Sequence, residues 1–99
     1  MKISFDRSGG AIGKDMHLDL DLNTMPADEA QNLLRLVNET GFFDIPGDLD
    51  TQVLPDEFQY EITVHSGRAS HTVRTSDSTM PKSLQPLVKE LTMLKILES

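Results

Sequence analysis

The sequence predicts an α+β domain: a four-stranded antiparallel sheet with two helices on one face, in the order ββαββα. Two pairs of segments alternate apolar and polar side chains, the period-two pattern of strands with one wet face. Each pair is followed by a segment with proline near its start and apolar residues at helical spacing. Laying both helices on the apolar side of the sheet buries all of these surfaces together. The 99 residues make a single domain, able to bury roughly two thirds of the surface that its unfolded chain exposes.

Ile3 and Phe5 alternate with Lys2, Ser4 and Asp6, while Leu18, Leu20 and Leu22 alternate with His17, Asp19 and Asp21. Residues 2 to 7 and 16 to 22 are therefore expected to pair antiparallel. The same alternation makes the N-terminal segment read as a strand rather than a signal peptide. Pro26 suits a first helical turn, and Asp28 and Glu29 suit the positive end of the helix dipole. Ala30, Leu33, Leu34 and Val37 form the expected apolar stripe, and Gly41 is placed to stop the helix in a left-handed cap.

In the second half, residues 57 to 64 and 69 to 75 flank His65-Ser66-Gly67-Arg68. A turn centred on Ser66 and Gly67 would set Ile62 opposite His71 and Tyr60 opposite Val73. Phe58, Tyr60, Ile62, Val64, Ala69 and Val73 then share one face. Ser83 can cap the second helix with Pro86 in its first turn, and Leu84, Leu87, Val88, Leu91 and Leu94 make its buried stripe. Phe42, Phe43, Phe58 and Tyr60 read as core aromatics. Thr24-Met25-Pro26 and Thr79-Met80-Pro81 occupy matching places in the two halves, too short a likeness to establish a duplication.

Two connections stand out. Arg7-Ser8-Gly9-Gly10-Ala11-Ile12-Gly13 puts three glycines in five residues between two strands, more than a tight hairpin needs, and lifts the bulky Ile12 onto a loop tip. Residues 46 to 56 have no clear period and are bounded by Pro46 and Pro55. Long connections of this kind on a rigid scaffold are often functional.

Composition narrows the function classes. Sixteen acidic against nine basic residues give a formal charge of -7, which repels phosphate backbones and anionic lipid, so neither nucleic acid nor membrane is expected as a partner. No apolar run approaches the roughly 20 residues of a membrane span. With no cysteine, the chain has no disulfide or thiolate zinc site, which suits a reducing cytoplasm. Ser8-Gly9-Gly10-Ala11-Ile12-Gly13-Lys14-Asp15 fails as a phosphate loop. Ser8 stands for the first glycine, Asp15 replaces the magnesium-binding hydroxyl, and a strand follows where a helix is needed. Asp48, Asp50, Gln52 and Asp56 fail as an EF-hand, because Val53 replaces the turn glycine and Gln59 the bidentate glutamate.

His17 falls on a wet strand face, His71 on an apolar one and His65 in a turn, so the three do not share a metal site. No serine lies in a nucleophile elbow. The chain therefore carries no catalytic constellation, no metal of its own and no cofactor, and is expected to be a monomer that works by binding. An acidic immunity protein, or another acidic antidote for a basic partner, is the alternative binding module. Its affinity would fall steeply with salt.

Phe5-Asp6-Arg7-Ser8-Gly9-Gly10, Gly41-Phe42-Phe43-Asp44-Ile45-Pro46 and Phe58-Gln59-Tyr60-Glu61-Ile62-Thr63-Val64 together resemble the emfourin family of protealysin inhibitors. These are small bacterial proteins directed at thermolysin-type (M4) zinc metallopeptidases. The resemblance spans nearly the whole chain. It departs after Gly10, where the family commonly carries a bulky aromatic and this chain has Ala11 followed by Ile12.

The resemblance implies that a loop aspartate reaches the peptidase's catalytic zinc while apolar loop residues enter its substrate pockets. A carboxylate oxygen binds zinc at about 2.0–2.2 Å, in the position the nucleophilic water must occupy. Asp56, just before Glu57-Phe58-Gln59-Tyr60, is the favoured ligand, with Asp48, Asp50 and Asp15 as alternatives. The resemblance also implies a pocket for a bulky apolar residue, which Ile12 or Leu49 could fill. The expected peptidase-binding set is Ser8, Gly9, Gly10, Ala11, Ile12, Gly13, Asp15, Asp48, Leu49, Asp50 and Asp56.

Overall fold

Strand β1 (Lys2–Gly9) pairs antiparallel with β2 (Met16–Asp21), setting Ile3 against Leu20 and Phe5 against Leu18 in this computed structural model. The structure describes residues 1–10, 15–49 and 56–98. Strand β2 ends one residue earlier than the alternation suggests. The Asp21 carboxylate accepts from the Asn23 N–H at 3.0 Å and turns Leu22–Thr24 into a short 3₁₀ segment.

Helix α1 (Ala27–Thr40) starts after Pro26, whose carbonyl accepts the first helical bond from the Ala30 N–H. It stops at Gly41 in the left-handed conformation expected of it, φ 66°. Its buried stripe is Leu33, Leu36, Val37 and Thr40. Leu34, placed in the stripe by its spacing, is exposed. A helix face turned toward Leu36 and Thr40 carries position 34 about 100° away per residue from its inward neighbour Leu33, out of the packed layer.

Strands β3 (Phe58–Ser66) and β4 (Ala69–Ser76) form the second hairpin. Its two-residue turn is Gly67-Arg68, not Ser66-Gly67, so Ile62 lies opposite Val73, Val64 opposite His71 and Tyr60 opposite Thr75. Glycine is at the first central position with φ 61°, where two-residue hairpin loops call for it. His65 accordingly belongs to β3 rather than to the turn. Helix α2 (Gln85–Glu98) begins one residue later than a Ser83 cap would require, after a turn closed by the Leu84 N–H on the Pro81 carbonyl.

The sheet order is β2-β1-β3-β4, with β1 and β3 antiparallel neighbours at the centre. Ile3, Phe5, Leu18, Ile62, Val64 and Val73 on one face pack under Leu33, Val37, Leu84, Leu87 and Leu91. Each such fully buried side chain contributes roughly 1.5–3 kcal/mol. Phe42 and Tyr60 belong to this core and Phe58 packs at its margin, but Phe43 is exposed, edge-on to Phe42 and tilted over His71. The His71 Nε2–H donates to the Ile45 carbonyl at 2.6 Å, so this half-buried histidine has its partner in the backbone. Among the described residues, no helix is long and apolar enough to cross a membrane.

The opposite face of the sheet is polar and uncovered. There His17 bridges two carboxylates, Nδ1 to Asp6 at 2.6 Å and Nε2 to Asp19 at 2.8 Å, and the Ser4 hydroxyl donates to Asp19 at 2.7 Å. Carboxylates only accept, so both ring nitrogens must carry protons for both bonds to form. Donation to Asp6 and then to Asp19 accordingly raises the His17 pKa above its ordinary 6.5. The extra stability from this cluster is present below about pH 6.5 and is lost as the pH rises through the raised folded value. In a proton NMR titration His17 should titrate above 6.5, and Asp6→Asn should bring it down. An unshifted His17 would mean that the cluster does not form in solution.

Candidate functional site

One end of the sheet gathers the segments singled out by sequence. There β1 and β4 end while β2 and β3 begin, so residues 8–10, 15, 56–58 and 77 converge. The Gly10 N–H donates to the Glu57 carbonyl at 3.0 Å, extending the β1–β3 ladder past Gly9, which faces Phe58. This bond ties the start of the glycine-rich connection to the residue after Asp56. Asp56 is exposed in the turn just before β3, and Asp15 is exposed just before β2.

Gly9 and Gly10 have positive φ, 83° and 79°. A Cβ on Gly9 would stand 2.8 Å from the Glu57 carbonyl oxygen, and one on Gly10 would stand 2.6 Å from Cε1 of Phe58. The glycines thus let β1 lie flat against the first residues of β3. Phe58 also carries the Arg7 guanidinium, 4.1 Å from its ring centroid. Arg7 Nε and Glu57 Oε2 are buried and have no hydrogen-bond partner among the described residues. Buried polar groups left unpaired cost stability, and two such atoms lie here on residues of the same sheet end.

Asp77 closes this end on its other side. Its carboxylate accepts from the Phe58 N–H at 3.0 Å and from the Tyr60 hydroxyl at 2.8 Å, and its own N–H donates to the Phe58 carbonyl at 3.2 Å. Burial, followed by the Asp77 bond and charge, pushes the Tyr60 phenol up to about 12.

The remaining expected residues are placed differently. Asp48 forms a parallel bridge with Arg74 on the free edge of β4, and the Leu49 N–H donates to the Arg74 carbonyl at 2.8 Å. Part of the second long connection is therefore pinned to the sheet. Leu49 is half-buried and packs against the core. Ser8 is exposed opposite Gln59. Ala11, Ile12, Gly13 and Asp50 lie outside the described residues. Among the described residues, no group of three or more His, Asp or Glu side chains is arranged to hold a metal ion.

The emfourin family model matches residues 5–92 of the 99. The chain belongs to the emfourin family. Comparison with curated proteins gives no match, and comparison with solved structures gives none either. Emfourin membership is consistent with a protease-inhibitor role and fits a protein that is not an enzyme. The matched span takes in β1 from Phe5, both long connections and α2 as far as Thr92, so all the segments at the sheet end belong to the emfourin portion.

Sequence reasoning missed Asp77 in this emfourin sheet end. The available signal was Asp77-Ser78-Thr79 directly after a strand, residue types whose short side chains bond to nearby backbone. Arg7 and Glu57 carry no comparable signal, since their burial depends on the pairing of β1 with β3.

Proposed function

We propose that this chain inhibits thermolysin-like (M4) zinc metallopeptidases of the protealysin type, with Asp56 as the carboxylate that occupies the enzyme's zinc. The observation that carries this reading is the convergence at one sheet end of Asp56 and the glycine-rich connection, joined by the bond from the Gly10 N–H to the Glu57 carbonyl. Asp56 sits in the turn two residues before β3, and the bond from Gly10 to Glu57 anchors the residue beside it more firmly than a mid-loop position would be. The Asp56 carboxylate oxygen would take the coordination position of the nucleophilic water, so water activation stops. The metal belongs to the peptidase, and the inhibitor supplies one ligand as a cytoplasmic monomer without a cofactor.

Apolar recognition falls to the glycine-rich connection, with Ile12 as the side chain that fills the pocket. Leu49 is less suited because it already packs against the core.

Titration of an active thermolysin-like peptidase with the protein should reach full inhibition at one equivalent, and mass spectrometry should find the inhibitor intact. Ile12→Asp should weaken that inhibition by about tenfold or more while the protein stays folded. No inhibition of any such peptidase at micromolar excess would reject the proposal. Unchanged inhibition by folded Ile12→Asp would remove Ile12 from the pocket.

A further inference from the structure

We propose that Asp77 is a positioning residue, which fixes the start of β3 and through it the carboxylate of Asp56; this rests on the inhibitory reading above. The ladder alone leaves this strand end half-held. Phe58 faces Gly9 on the β1 side, whereas the β3–β4 register begins only at Gln59 opposite Ser76. On the β4 side both backbone groups of Phe58 are satisfied by Asp77, the N–H by its carboxylate at 3.0 Å and the carbonyl by its N–H at 3.2 Å.

The second carboxylate oxygen takes the Tyr60 hydroxyl at 2.8 Å, so one side chain spans the first and third residues of the strand. Asp77 is itself set by a closed turn. The Thr79 hydroxyl accepts from the Ser76 N–H at 2.9 Å and lies 2.8 Å from the Ser76 hydroxyl, and the Thr79 N–H returns to the Ser76 carbonyl at 3.2 Å. Hydrogen bonds to an ionised acceptor are stronger than neutral ones, and strand ends without such ties fray. Asp56 stands two residues before Phe58. A fixed Phe58 therefore limits where its carboxylate can go before the peptidase arrives, which lowers the ordering cost of binding.

The test compares the inhibition constant, melting temperature and hydrogen exchange of the Phe58 amide in wild type, Asp77→Ala, Asp77→Ser and Asp77→Asn. Alanine and serine should raise the inhibition constant about tenfold or more and speed exchange at Phe58, serine because it is a turn former that lacks the reach. Asparagine can accept from the Phe58 N–H and donate to the Tyr60 oxygen, so it should keep inhibition within about threefold of wild type. It should also lower the Tyr60 phenol pKa, because the carboxylate charge is gone.

Val64→Ala controls for stability alone, since Val64 is fully buried toward the hairpin end of β3. It should lower the melting temperature and leave inhibition within about threefold. The proposal is overturned if Asp77→Ala or Asp77→Ser inhibits like wild type, if Phe58 stays protected in both, or if Val64→Ala loses as much inhibition for the same fall in melting temperature. A wild-type protein that inhibits no thermolysin-like peptidase would instead refute the inhibitory reading, and the positioning role with it.

Discussion

Asp56→Asn is expected to weaken inhibition about 100-fold, equivalent to about 2.7 kcal/mol of binding. Asparagine keeps almost the same shape but loses the negative charge, which makes it a much poorer zinc ligand. Asp56 is exposed, and an amide can make similar local bonds in the turn, so the melting temperature should barely move. Asp15→Asn, Asp48→Asn and Asp50→Asn measured alongside should each stay within a few-fold of wild type. Near-wild-type inhibition by folded Asp56→Asn would reject the assignment. A large loss in one of the other three would transfer the role to that aspartate.

The largest effect on stability is expected at Gly9. Gly9→Ala puts a methyl group 2.8 Å from the Glu57 carbonyl oxygen, a backbone atom within the β1–β3 pairing that cannot rotate away. It also holds alanine at φ 83°, a conformation that L-residues seldom adopt. Together these should cost roughly 2–3 kcal/mol, a fall of about 10 °C or more in melting temperature for a domain of this size. Gly67→Ala isolates the backbone contribution, because φ there is 61° but nothing lies within 4 Å of the added Cβ. It should cost only about 1 kcal/mol. Equal losses at the two positions in denaturant unfolding would show that the close approach to Glu57 is relieved without cost.

The parts of the fold that depend on near neighbours were legible in the sequence. The alternation around Ile3 and Phe5, and around Leu18 and Leu20, reports strands directly, and Gly41 ends its helix where its conformational freedom is needed. The sequence places the hairpin register two residues from the observed one, because Ser66-Gly67 and Gly67-Arg68 both offer a glycine. A tight turn on Ser66-Gly67 that matches the strand twist would hold Ser66 at positive φ, whereas Gly67-Arg68 leaves that conformation to glycine alone. Spacing equally could not separate Leu34 from Leu36, since both lie close to the apolar stripe and the position of the sheet decides which is covered.

What was illegible at the site is what acts over long separations. The pairing of β1 with β3 joins residues more than forty positions apart and alone brings Gly10 beside Glu57. Asp77 reaches Phe58 from nineteen residues away, so no local pattern announces it. The aspartates of residues 46 to 56 look alike in the sequence. Only the bridge of Asp48 to Arg74 and the placement of Asp56 before β3 tell two of them apart.

The antiparallel pairing of β1 with β2 also bears on what would happen if the target cut the glycine-rich connection. Arg7 faces Met16 across the hairpin, and β1 is hydrogen-bonded along its other edge to β3, so the strands on either side of the cut would remain paired in the sheet. The N-terminal fragment could leave only by withdrawing Ile3 and Phe5 from the core, which amounts to global unfolding. A nicked molecule would therefore persist as a two-piece assembly, with β1 and β2 still side by side. Cleavage would create a product that does not diffuse away, and the peptidase would gain no turnover from it.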